Sequence, residues 1–176
     1  MCRIEVWVRD RGIARAGDGH DAPCGVDQLD AWSRNGKWLY FSTTANDISG
    51  MSDVYRVSAD GGTPTPVAAD RYAAEYWAAT GPDSATIAIT ARGLPYSQWW
   101  RKGHSHIDES EIWVVHGIAA GVKSTPKYEQ LSASGSKNEW PMYSADGRTI
   151  YYTICMKVDF SRDCQIYAAK LDAYPK

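Results

Sequence analysis

Apolar positions along this chain come in short, strand-length runs separated by turn residues. Four of the runs share one pattern, an acidic or amide residue followed by an aromatic-centred strand. They are Glu5-Val6-Trp7-Val8, Asp53-Val54-Tyr55-Arg56-Val57, Glu111-Ile112-Trp113-Val114-Val115 and Gln165-Ile166-Tyr167-Ala168-Ala169. β-Branched and aromatic residues in runs of this length read as strands. The central aromatics Trp7, Tyr55, Trp113 and Tyr167 return about every 50 residues, a period that marks a copied supersecondary unit. No long helical period interrupts them. Tyr72 to Ala79 has some helical character, but Tyr76-Trp77 falls where a strand of the repeat should enter.

A second element repeats in phase with the first, a turn followed by an apolar strand. Its copies are Trp32-Ser33-Arg34-Asn35-Gly36-Lys37-Trp38-Leu39-Tyr40-Phe41, Thr80-Gly81-Pro82-Asp83-Ser84-Ala85-Thr86-Ile87-Ala88-Ile89 and Tyr143-Ser144-Ala145-Asp146-Gly147-Arg148-Thr149-Ile150-Tyr151-Tyr152. Asn-Gly and Asp-Gly between strand-like runs signal hairpins, because both tolerate positive φ. A further hairpin, Ala59-Asp60-Gly61-Gly62, leads into Thr65-Pro66-Val67. Each unit therefore holds four short strands, a to d. A period of roughly 40–50 residues in a β-rich chain predicts the four-stranded antiparallel blades of a β-propeller.

The pattern W-S-x-(D/N)-G-K-x-(I/L)-x-F, then D-(I/V)-Y-x-V, then D-G-G, resembles the WD-repeat-like propeller unit of TolB. It is also similar to the N-terminal propellers of tricorn protease and of prolyl-oligopeptidase-type peptidases. The resemblance covers residues 4 to 172 and is best around Trp32. The third blade departs from it, with Thr80 in place of the Trp and Ser84 in place of the turn Gly. The Gly-His and Trp-Asp dipeptides of true WD repeats are missing from their expected places. Such propellers are attached to many partners, so the resemblance speaks to fold more than to activity.

The blades are expected at 1–25 (partial), 26–69, 73–132 with an insert at 92–110, and 138–172. The chain thus opens and closes on c-type strands, giving about 13 strands where a closed ring of four-stranded blades needs a multiple of four. The fold class expected is all-β: about three to three and a half blades in an incomplete, open ring, a piece of a larger propeller. An irregular blade, or a misassigned d strand in the first partial blade, is the alternative. Open ends expose strand edges, to be covered by further sequence or by self-association with a second copy.

Composition narrows the partners. The 19 basic and 21 acidic residues leave a net charge of −2, so there is no electrostatic case for nucleic acid. No apolar run approaches the ~20 residues of a membrane-spanning helix. The 8 Trp and 11 Tyr against 2 Phe suit strands that are apolar on one side and wet at one end. Cys2, Cys24, Cys155 and Cys164 lack the spacing of a thiolate zinc site. Cys155 and Cys164 bracket the b–c connection of the last blade, as a disulfide or as two free thiols. Met1-Cys2-Arg3-Ile4-Glu5 lacks the apolar core of a secretory leader. With Met1 inside a repeat no compartment follows.

Catalytic signatures are missing: no G-x-S-x-G elbow, P-loop, dinucleotide fingerprint or H-E-x-x-H occurs. No cofactor is expected. The insert stands apart, because long loops on rigid scaffolds are where function concentrates. Trp99, Trp100 and Arg101 within it are residue types enriched at interface hot spots. His104 and His106 complete the candidate binding set. His104-x-His106-x-Asp108 could converge on one strand face as metal ligands, but a fourth ligand is not evident and no metal is assigned. Alternatively both Trp rings fold back to roof the blade. Because strands alternate direction, b–c and d–a connections share one face of the propeller. The insert should therefore lie beside Asp70–Ala73 and Ser134–Asn138. The expected partner is a protein or peptide, bound by a non-catalytic scaffold resembling TolB. The other reading is a substrate-gating propeller of a tricorn-like or prolyl-oligopeptidase-like peptidase.

Overall fold

The computed structural model describes residues 5–8, 12–15, 27–45, 51–70, 73–92, 109–118, 126–158 and 161–171. Thirteen strands and no helix are found among them: β1 (Glu5–Val8), β2 (Gly12–Arg15), β3 (Asp27–Trp32), β4 (Trp38–Thr43), β5 (Asp53–Ser58), β6 (Thr65–Ala68), β7 (Ala74–Thr80), β8 (Thr86–Arg92), β9 (Glu111–His116), β10 (Lys127–Gln130), β11 (Lys137–Tyr143), β12 (Thr149–Val158) and β13 (Ser161–Lys170). They form a two-stranded sheet β1-β2, two four-stranded sheets β3-β4-β5-β6 and β7-β8-β9-β10, and a three-stranded sheet β11-β12-β13. Every pairing between strands is antiparallel and follows chain order. This is a run of blades. Among the described residues β1 pairs only with β2 and β13 only with β12, so the ring is open, as the strand count implies. The stretch with some helical character is strand β7.

The a–b turns explain why the repeats fold alike. Ser33 Oγ donates to Asn35 Oδ1 (2.8 Å) and accepts from the Trp38 amide (2.9 Å), while Asn35 Oδ1 also accepts from the Lys37 amide (3.0 Å). Ser144, Asp146, Arg148 and Thr149 repeat these bonds at 2.6, 3.0 and 3.0 Å. In both turns a short polar side chain satisfies backbone donors that the hairpin leaves unpaired. The left-handed position is Gly36 (φ 68°) in one and Gly147 (φ 72°) in the other. The middle turn departs in sequence yet keeps the shape. Gly81 replaces the Ser, and Asp83 accepts from the Ala85 amide (3.0 Å) and the Thr86 hydroxyl (3.1 Å). Ser84 takes the Gly conformation at φ 56°, which strains a residue with a Cβ.

Two apolar seams join consecutive sheets. In the first, Tyr40, Val54, Val67 and Ala68 of one four-stranded sheet meet Ile87, Ile89, Ala91 and Val115 of the next. In the second, Ala88, Ile112 and Val114 pack on Ile150, with Tyr152 and Tyr143 at the margin. Burial of such side chains stabilises each seam by about 1.5–3 kcal/mol per large residue. Backbone bonds reinforce both seams at equivalent places. The Glu75 amide donates to Ser52 O (2.7 Å), and the Asn138 amide to Ser110 O (3.0 Å).

The acid that opens each aromatic strand also has a structural task. Glu111 accepts from the Ser132 hydroxyl (2.5 Å) and the Gly135 amide (2.8 Å), pinning the connection into β11. Asp53 is buried at the corresponding position. Gln165, in the last sheet, is exposed and bonds only locally to Asp163 (3.1 Å). Cys155 and Cys164 face each other in register and form a disulfide across β12 and β13, with Cα atoms 4.0 Å apart.

Candidate functional site

Strands β3, β7 and β11 open their sheets, and β7 lies against both β3 and β11. The Thr80 hydroxyl donates to Trp32 O (2.9 Å) and the Ala78 amide to Asp30 Oδ2 (3.1 Å), tying β7 to β3. All three strands are interrupted by a bulge: between Leu29 and Ala31, between Tyr76 and Ala79, and between Glu139 and Met142. A bulge re-aims a side chain and sharpens the local twist. Here it places Trp77 and Trp140, both at φ 54°, in the left-handed region. Bulky residues rarely adopt that conformation, and such strain gathers at ligand clamps and switch regions.

The two indoles meet. Their ring centroids are 4.7 Å apart with planes inclined by 31°, and Trp77 also takes an edge contact from Tyr76 at 4.9 Å. Aromatic pairs of this kind contribute about 0.5–1.5 kcal/mol beyond burial, an offset against the backbone strain. Trp77 is buried, whereas Trp140 keeps 53% of its surface exposed. Leu29, at the equivalent position of β3, is exposed too. The inner strands thus present a ledge of one large aromatic ring, backed by a second.

A buried polar layer supports the ledge. The Trp77 amide donates to Ser42 Oγ (3.1 Å), whose hydroxyl donates to Asp30 Oδ2 (2.6 Å). Burial pushes the Asp30 carboxyl up to about 7, against the pull of the Ser42 and Ala78 hydrogen bonds. Glu75 is fully buried, and burial raises its carboxyl to about 8 despite the Asp70 amide and the Tyr128 phenol bonded to it. The Asp70 amide lies 2.7 Å from Glu75 Oε2. Burial raises the Tyr76 and Tyr128 phenols as well. Lys137 and Glu139 form an ion pair of 2.6 Å, nearly all of it out of solvent. Asn138 donates from its side chain to Ser110 O (2.8 Å) and Ser136 O (3.0 Å). These groups hold strands rather than face a reactant. No cluster of three or more His, Cys, Asp or Glu placed to hold a metal occurs among the described residues.

The sequence-derived contact residues Trp99, Trp100, Arg101, His104 and His106, with Asp108, lie outside the described residues. The end of their insert is described. The Ser110 amide donates to Ser136 O (3.1 Å), which puts that end against the segment leading into β11. The insert therefore ends on the face with the Ser134–Asn138 connection. Sequence reasoning placed Trp77 at the entry of an inner strand but did not single out Trp77 and Trp140 as a pair. The available signal was their shared offset from the following turn, Gly81 in one repeat and Ser144 in the other.

No protein-family description matches this chain, and no curated relative does. Among solved structures it is similar to a putative TolB from Agrobacterium tumefaciens, at 20% identity and a TM-score of 0.59, over 92% of this chain and 48% of that one. TolB from Acinetobacter baumannii aligns at 14% identity and a TM-score of 0.59, over 83% of this chain and 30% of that one. A prolyl endopeptidase structure aligns at 13% identity and a TM-score of 0.50, over 85% of this chain and 21% of that one. The chain thus spans about half or less of each protein that it matches. Likeness at these identities speaks to fold, and it agrees with the repeated turns, the antiparallel sheets and the open strand count: the chain folds as a partial, open β-propeller like the propellers of TolB and prolyl endopeptidase.

Proposed function

We propose that this chain is a non-catalytic binding module that holds a protein or peptide, within a larger propeller-containing protein. The observation that carries this reading is the Trp77–Trp140 pair, in tilted contact at 4.7 Å with Trp140 53% exposed and both residues in strained bulges. Strain retained under an exposed Trp fits an anchor for a partner, since Trp dominates binding energy at interfaces. The insert residues Trp99, Trp100, Arg101, His104 and His106 would add contacts on the face carrying the connections into the inner strands. Selection of displayed peptides on the immobilised chain tests this. Trp140→Ala is expected to weaken selected peptides by tenfold or more while the far-ultraviolet spectrum stays unchanged. Equal binding to Trp140→Ala and to the Trp99→Ala/Trp100→Ala double variant would remove the reading.

The fold likeness to a prolyl endopeptidase favours a second reading, a propeller that gates peptide access to a catalytic domain carried elsewhere in the protein. A hydrolase domain encoded beside these residues would favour it over the scaffold.

A further inference from the structure

The outer face of the last sheet is apolar and uncovered. Directly opposed residues of an antiparallel pair point to the same side. Met142 opposes Tyr151, Tyr151 opposes Ala168, and Thr153 opposes Ile166, so these share one face of β11-β12-β13. Met142, Tyr151 and Ile166 on it are 67%, 46% and 80% exposed. The one charged group in these rows, Glu139 opposite Thr153, is buried at the inner edge and paired with Lys137, and the row Met142-Tyr151-Ala168 carries no charge.

The repeat says what such a face is for. Aligning the turns makes Tyr151 equivalent to Ala88 and Tyr40, and Ile166 equivalent to Ile112 and Val54. All four of those earlier residues are fully buried. Val54 and Tyr40 are covered by Ile87 and Ile89 of the following sheet, and Ile112 and Ala88 by its Ile150. In each seam the cover is the second strand of the next blade, carrying apolar side chains two residues apart.

We propose that the outer face of β11-β12-β13 is the seat of a further four-stranded blade, carried by polypeptide other than residues 1–176, whose second strand lays two such side chains over Tyr151 and Ile166. It continues the series of two seams already present. A second copy of this chain joining head to tail is a poor occupant. The corresponding strand of its first four-stranded sheet, β4, carries Leu39 and Phe41, already buried with Val57.

Peroxide oxidation read by peptide mass spectrometry tests the seat through Met142. Met156 lies on the opposite face of β12 at 43% exposure and serves as the internal reference. In the chain as it stands, Met142 is expected to oxidise at least as fast as Met156 at every protein concentration. Protection of Met142 that grows with concentration would assign the face to a second copy and overturn the proposal. The chain is then continued after Leu171 with a copy of its own residues 60–131, which supplies a fourth strand and a blade presenting Ile87 and Ile89. Met142 is expected to slow about tenfold relative to Met156, and Ile166→Lys in the extended chain to restore it. An unchanged ratio in an extended chain that keeps its strand spectrum overturns the proposal. In the unextended chain Ile166→Lys should leave the melting temperature within about 1 °C. A clear fall would mean that the face is already covered, and would overturn it independently of how the extension folds.

Discussion

Strands β9 and β13 begin from nearly the same residues and end in opposite surroundings. Glu111-Ile112-Trp113-Val114-Val115 and Gln165-Ile166-Tyr167-Ala168-Ala169 occupy the same place in consecutive sheets. Ile112 is 0% exposed and Ile166 80%. β9 lies between β8 and β10 and under the last sheet, whereas among the described residues β13 is paired with β12 alone. Neither intrinsic strand propensity nor pattern separates the two. What separates them is how many neighbours the strand has, and burial energy is collected only where a neighbour removes water. The acid of the motif follows the same rule. Glu111 pins the next connection, while Gln165 bonds within its own strand.

The sharpest test of this contrast is a pair of matched truncations. Ile112→Ala should cost about 2–5 kcal/mol, the range for removing a buried branched aliphatic side chain. Ile166→Ala should stay within about 0.5 kcal/mol, as exposed substitutions do. Urea denaturation of the two variants checks this, and equal losses would show that β13 is covered.

A second contrast lies one position into the inner strands. Glu75 in β7 and Asn138 in β11 make the same backbone bond to the preceding sheet, yet only Glu75 can titrate. Burial raises Glu75 from 4.5 to about 8, so the folded chain holds a proton that the unfolded chain releases. Its contribution is full below 4.5 and is lost as pH climbs to about 8. Asp30 acts likewise between 3.8 and about 7. Each group should lower stability with a slope of about 1.4 kcal/mol per pH unit in its window. Glu75→Gln is expected to flatten the upper part of the curve and to stabilise the chain at pH 8. Melting temperatures measured from pH 4 to 9 decide it; an unaltered slope in Glu75→Gln would mean that Glu75 is ionised when folded.

The turns offer two smaller tests. Gly36 and Gly147 share one conformation, but a Cβ on Gly36 meets nothing while one on Gly147 collides with Pro82 of the neighbouring turn. Gly36→Ala should cost about 1–2 kcal/mol for the left-handed backbone, and Gly147→Ala measurably more. Equal losses by chemical denaturation would mean that Pro82 moves aside freely. The smallest effect is a gain. Ser84 sits at φ 56° where both other turns use Gly, so Ser84→Gly should relieve strain and raise stability by up to about 1 kcal/mol, net of the greater chain entropy of Gly. A loss in that variant would show that the Ser84 side chain contributes to the middle turn.

Much of the architecture was legible because its causes are local. Ser33, Asn35 and Gly36 make a hairpin from bonds reaching five residues at most, so their order announces the turn. The open strand count followed from counting turns. The Trp77–Trp140 ledge was not legible. It depends on two bulges and on the approach of strands from different sheets, and a Trp at positive φ runs against its own local preference. The buried acids were hidden for a related reason, since Glu75 and Asp30 look like ordinary polar strand residues until other sheets close over them.

By itself, then, the order of residues determined the strands, the turn chemistry, the repeat and the open ring, all properties settled by contacts between near neighbours. Tertiary structure alone decided which copy of a shared motif is buried, which carboxyls hold their protons, that Cys155 and Cys164 are joined, and where two Trp rings meet. Those outcomes depend on desolvation and on distances between residues far apart in the chain, and a run of residues read in isolation carries neither.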